Sequence, residues 1–137
     1  GRCADHILAE EKNVIKVFIY ANDSDRIERI MQLHDCNEKK AEEMISKADK
    51  KRKSYYNFYT GKKWGDSSSY DICLSTSTFG YEKCAEMIIE LAKEKFGLAS
   101  DSEITVECNP GSDIEGIIPY LVKLLGRTLQ EIFRRMR

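Results

Sequence analysis

The stretch Asn13-Val14-Ile15-Lys16-Val17-Phe18-Ile19-Tyr20-Ala21, followed at once by Asn22-Asp23-Ser24-Asp25, decides how the rest of the chain is read. β-Branched and aromatic residues with one charged interruption favour a strand. Because the apolar residues run on rather than alternate, the spacing predicts a strand buried on both faces. The four short polar residues that follow can accept hydrogen bonds from the unpaired N–H groups of a first helical turn, so a helix is expected to start there. A strand that passes directly into a helix is the building unit of a parallel sheet.

Helical spacing appears next at Ile27, Ile30 and Met31 and stops near His34 to Cys36. Asn37 is placed to cap a second helix, whose apolar members Ala41, Met44, Ile45 and Ala48 keep the same period and which runs on through Tyr55 and Tyr59 to Gly61. Tyr70 to Leu74 reads as a short strand entering a Ser-Thr-Ser-Thr-Phe-Gly turn; Ala85, Ile88, Ile89, Leu91 and Ala92 then mark a third helix ending at Gly97. The order strand, helix, helix, strand, helix predicts an α/β fold with a partial parallel sheet, in which ligands bind where strands end and helices begin. Beyond it, Glu103 to Cys108 is a third strand candidate and Asn109-Pro110-Gly111 a turn. A last helix has Pro119 in its first turn and carries Leu121, Val122, Leu124, Leu125, Leu129, Ile132 and Phe133. Two units are expected, residues 1–97 and a C-terminal extension over 98–137.

With 137 residues, 42% of them hydrophobic, the chain can form one compact core. Its 22 basic and 23 acidic residues leave a net charge of -1, so no chain-wide field attracts polyanions and no DNA partner is expected. The apolar runs fall well short of the ~20 residues that span a bilayer, and no membrane association is expected. The N-terminal Gly1-Arg2-Cys3 lacks an initiator Met and a secretion signal and reads as a cut edge. Cysteines at 3, 36, 73, 84 and 108 form no CxxC pair, which fits free thiols in a reducing cytoplasm. No metal site is expected, since the one local cluster, His34-Asp35-Cys36, matches no structural zinc spacing.

Charge concentrates in one place. Lys47, Lys50, Lys51, Arg52, Lys53, Lys62 and Lys63 face a single acid, Asp49, and are interleaved with Tyr55, Tyr56, Phe58 and Tyr59. Such a segment is either a solvated helix face with core aromatics behind it or a surface that pairs phosphates and stacks bases. Arg26 and Arg29 lie one helical turn apart just after the first strand, where they overhang a strand-end crevice.

Taken in order, Gly1-Arg2, the strand VIKVFIYA, Asp25-Arg26-Ile27-Glu28-Arg29-Ile30, Asp49-Lys50-Lys51-Arg52 and the block Tyr55-Tyr56-Asn57-Phe58-Tyr59-Thr60-Gly61-Lys62-Lys63-Trp64-Gly65 resemble the cytidylate-kinase-like family. The likeness continues through Tyr70-Asp71-Ile72-Cys73-Leu74-Ser75-Thr76-Ser77 and Gly80 and covers residues 1 to about 97. It implies the C-terminal half of a P-loop NTPase-like nucleoside monophosphate kinase, moving phosphoryl from ATP to CMP or dCMP. By the same resemblance Arg2 would hold the acceptor's phosphate, Arg26 and Arg29 would contact the donor nucleotide, and Arg52 with Asp49 would belong to the lid that closes over the reaction.

The sequence departs from that pattern twice. Cys3 stands where the better-known cytidylate kinases carry Asp, and no GxxxxGK[ST] occurs in the chain, which therefore has no cradle for the β-phosphate and no hydroxyl ligand for Mg²⁺. Mg-ATP is accordingly expected only on completion by a P-loop half, and the isolated chain is expected to be inactive and to bind nucleoside mono- and triphosphates weakly. The alternatives are a nucleotide or single-stranded nucleic-acid binding module without catalysis, and a structural assembly fragment that self-associates through its last helix or joins a separate N-terminal half.

Overall fold

The computed structural model describes residues 3–97. Within them a short helix, α1 (Ala4–Ile7), precedes β1 (Val17–Tyr20), α2 (Asp23–His34), α3 (Glu38–Thr60), a 3₁₀ turn (Ser67–Ser69), β2 (Ile72–Ser75) and α4 (Thr76–Phe96). The expected strand at 103–108, the last helix and the whole extension 98–137 lie outside the described residues, as does Arg2.

β1 and β2 pair in parallel, Val17 opposite Ile72, Phe18 opposite Cys73, Ile19 opposite Leu74 and Tyr20 opposite Ser75. Side chains alternate across a pleated sheet, and the packing follows that rule. Val17, Ile19, Ile72 and Leu74 join Cys84, Ala85 and Ile89 of α4 in the hydrophobic core. On the other face Phe18 meets Trp64 edge-on, with ring centroids 5.9 Å apart, and Tyr70 at 4.9 Å.

The expectation of a strand buried on both faces needs correcting. Val17 to Ile19 are half-buried and Tyr20 is exposed. The described sheet has two strands, so each is an edge, and only one face has a helix across it. Lysines hold the entry to the sheet. The Lys16 N–H donates to Asp71 Oδ2 at 2.7 Å, and Lys95 Nζ donates to the Val14 carbonyl at 3.0 Å from the far end of α4.

The helix boundaries follow local chemistry. Asn37 Oδ1 accepts from the Lys40 N–H at 2.9 Å and starts α3, which spans about 35 Å. Gly61 ends it in the left-handed region at φ 67°, where a Cβ is disfavoured. α2 closes on Asp35, likewise left-handed at φ 46°, so the two helices fold back on each other with Ala41 buried. The Ser-Thr-Ser-Thr-Phe-Gly segment differs from the turn expected of it. Thr76 to Phe79 already form a helical turn capped by Ser75 Oγ, and Gly80, at φ 74° and ψ 167°, breaks the helix before it resumes.

Candidate functional site

Parallel pairing brings the carboxyl ends of β1 and β2 side by side, and the residues that follow each strand meet there. The Asn22 N–H donates to Ser77 Oγ at 2.8 Å, and Thr76 Oγ1 donates to the Tyr20 carbonyl at 3.3 Å. These bonds tie the start of α2 to the start of α4. Over them opens a cleft of about 350 Å³ whose lining includes the cations Arg26 and Arg29, the carboxylates Asp25 and Glu28, and Thr76, Ser77 and Tyr81. Arg29 lies with its guanidinium carbon 5.8 Å from the Tyr81 ring centre, an arrangement that holds a planar cation in place by cation–π attraction.

Arg26 joins this cleft to α3. Its Nη2 donates to Asp49 Oδ2 at 2.7 Å, while Arg52 Nη1 donates to Asp49 Oδ1 at 2.8 Å. Asp23 adds a longer contact to Arg26 at 3.5 Å. All three side chains of the Arg26–Asp49–Arg52 group are largely shielded, with 16–25% of their surfaces exposed. One carboxylate thus holds two guanidiniums, one oxygen each, and links α2 to α3. The i, i+3 spacing of Asp49 and Arg52 made their contact legible in the sequence; the reach of Arg26 across to the second helix was not. Asp49 and Arg52 stand behind Arg26 rather than on the cleft wall. With both carboxylate oxygens engaged, Asp49 acts as a positioning group in this geometry.

The aromatic block divides sharply. Tyr56 is 2% exposed and donates from its hydroxyl to Asp5 Oδ2 at 2.5 Å, anchoring α1 to α3. Asn57 Oδ1 accepts from the Trp64 N–H at 2.8 Å, and Thr60 Oγ1 donates to the Tyr56 carbonyl at 2.7 Å while accepting from the Lys62 N–H at 3.1 Å. The YYNFYTGKKWG block is therefore in large part a folded clasp that carries Trp64 onto Phe18. Sequence reasoning assigns no site role to Asp5, Tyr70, Thr76, Ser77 or Tyr81, although Tyr70, Thr76 and Ser77 fall within the family-like run. The signal for Thr76 and Ser77 is their position directly after β2, which ends at Ser75; Asp5 and Tyr81 carry none.

Burial, and after it the bond to the Asp5 carboxylate and that group's charge, pushes the Tyr56 phenol up to about 12. Desolvation, then the Asp5 charge, moves Tyr70 the same way. Unfolding returns both to the ordinary value near 10. An acid held neutral by the fold contributes stability that is complete below pH 10 and is lost as pH rises from about 10 through 12. Equilibrium urea unfolding is expected to show this alkaline decline, and Tyr56→Phe to flatten it. A decline of unchanged size in Tyr56→Phe would place its origin elsewhere.

No group of three or more His, Cys, Asp or Glu side chains that could hold a metal occurs among the described residues. The described cysteines, Cys3, Cys36, Cys73 and Cys84, are free thiols, and burial raises the pKa of Cys84 and, together with the Asp5 charge, that of Cys3. No helix among the described residues is long and apolar enough to cross a membrane.

A sequence profile of the cytidylate kinase-like family matches residues 1–78, more than half of the chain, and the chain belongs to that family. Among solved structures it is similar to an uncharacterized protein from Eubacterium ventriosum ATCC 27560, at 39% identity and a TM-score of 0.67. The alignment covers 69% of this chain and 52% of that one, so the match spans about half of the neighbour's length. No curated protein matches.

Proposed function

We propose that this chain forms the acceptor-arginine and lid portion of a nucleoside monophosphate kinase that transfers phosphoryl from ATP to CMP or dCMP, its two strands belonging to a P-loop NTPase-like sheet. The observation that carries this reading is the cleft at the carboxyl ends of two parallel strands, with Arg26 and Arg29 on its wall. Ligands of α/β sheets bind at strand ends. Phosphoryl transfer relies on cations positioned around the migrating charge rather than on a protein nucleophile.

In this proposal Arg29 and Arg26 contact the donor nucleotide and its phosphates. Arg52 and Asp49 hold Arg26 and couple it to α3, so that movement of α3 as a lid carries the cation with it. Arg2 is assigned to the acceptor phosphate by the family resemblance alone. Two carboxylates, Asp25 and Glu28, line the cleft, but no group of three or more His, Cys, Asp or Glu side chains that could hold a metal occurs among the described residues. Asp49 is fully engaged by arginines, and the chain has no GxxxxGK[ST] hydroxyl. No step is therefore routed through Mg²⁺ on this polypeptide. Free thiols support a reducing, cytoplasmic setting.

The test is binding rather than turnover. ATP is expected to raise the melting temperature by selective binding to the folded chain, and Arg29→Ala to reduce that shift without lowering the ligand-free melting temperature by more than a few degrees. An equal shift in an Arg26→Ala/Arg29→Ala variant would remove the cleft from the reading.

A further inference from the structure

The clasp leaves part of the basic-aromatic segment unused. On α3, Lys47, Lys51, Tyr55 and Phe58 recur at i, i+4, i+8 and i+11, which places them along one stripe, with Tyr59 beside it. All five are exposed. Phe58 is 82% exposed and Tyr59 61%, yet their rings lie 5.1 Å apart edge to face, and Tyr55 lies 4.5 Å from Tyr59. Three adjoining aromatic rings thus share an exposed helix face, Tyr55 being 39% exposed.

The charge beside them is of one sign. Asp49, the single acid between residues 47 and 63, lies on the opposite side of the helix and is held by Arg26 and Arg52. The nearest carboxylate along the stripe, Glu43, pairs with Lys40 at 3.8 Å. Lys47 and Lys51 have no ion pair among the described residues. None of the stripe's residues lines the cleft.

We propose that this stripe binds single-stranded nucleic acid, with bases stacking on Phe58 and Tyr59 and backbone phosphates paired by Lys51 and Lys47. Lysines one helical turn apart, about 6 Å along the axis, offer a row of point charges to a flexible anionic chain. Rings at the end of that row offer a stacking platform that accepts any base. An apolar protein surface would complement the rings and leave the lysines unmatched. The patch is local, and the chain's net charge of -1 does not oppose anion binding there. It is independent of the mononucleotide cleft.

The experiment is fluorescence anisotropy of the full chain with labelled dT8 and rU8 over 50–200 mM salt, in the presence and absence of ATP. Binding is expected to weaken with salt, with a slope of about -1.4 for two phosphates neutralised, and Lys51→Ala to reduce that slope by about 0.7. Phe58→Ala, at a solvent-exposed position, is expected to weaken binding by roughly 5-fold or more. Phe58→Leu, which keeps apolar bulk without a ring, should do nearly the same. Binding of either probe with these dependences supports the site, and unequal affinities would add a contribution from the sugar. Unchanged affinity in both Phe58 variants overturns it. So does displacement of the oligomers by ATP together with their loss in Arg29→Ala, which would locate them in the cleft and leave the proposed function standing. Binding to phosphatidylserine vesicles without oligomer binding would also overturn it.

Discussion

Replacing Tyr56 with alanine is expected to destabilise the chain by about 3–5 kcal/mol, a large fraction of a small domain's total stability. The ring is nearly inaccessible and its hydroxyl is bonded to Asp5. Truncation therefore removes both an aromatic payload and the bond that holds α1 against α3. Tyr56→Phe keeps the ring and deletes only the hydroxyl, and is expected to cost about 1–2 kcal/mol. The ordering of the two variants is the informative part, and urea unfolding followed by circular dichroism reads it. If Tyr56→Ala stays within about 0.5 kcal/mol of the parent, a value typical of innocuous surface changes, the buried ring is not the anchor described above.

The second large effect is expected at Asp49. Its carboxylate accepts from two guanidiniums at 2.7 and 2.8 Å, and all three groups are mostly shielded from solvent. Asp49→Ala deprives both arginines of this counter-charge and leaves two cations near each other, at a cost of about 2–4 kcal/mol. Arg26→Ala and Arg52→Ala each remove one of the two bonds to Asp49 and leave the other, so at this carboxylate each should cost less than Asp49→Ala. Costs in the Asp49→Ala/Arg26→Ala pair should be far from additive. Asp49→Ala should also diminish the ATP-induced rise in melting temperature, although Asp49 does not line the cleft, because Arg26 loses its support. A melting-temperature response to ATP equal to the parent's would separate the ion-pair group from the nucleotide reading.

Legibility in the sequence tracked how local the determining interactions are. α3 ends at Gly61 and α4 at Gly97 as expected, and Asn37 caps α3, because caps and glycine stops involve residues only a few positions apart. Strand limits were less legible. β1 is confined to Val17–Tyr20, since pairing with Ile72–Ser75 decides where a strand begins and ends. Its burial was overestimated for the same reason: a run of apolar residues reports hydrophobicity, but not how many layers are present to cover it.

What the sequence alone determined, then, is the alternation of strands and helices, the helix ends, the candidate arginines and the family. Each is carried by residue type at short spacing or by a continuous motif. Tertiary structure decided how the aromatic block divides, sending Tyr56 inward to Asp5, 51 positions away in the chain, and leaving Phe58 outside. It also decided that Arg26 reaches Asp49 across 23 positions and that Thr76 and Ser77 close the strand-end cleft. Contacts of that range depend on where the parallel register and the α2–α3 turn set whole elements, and short-range spacing carries no record of it.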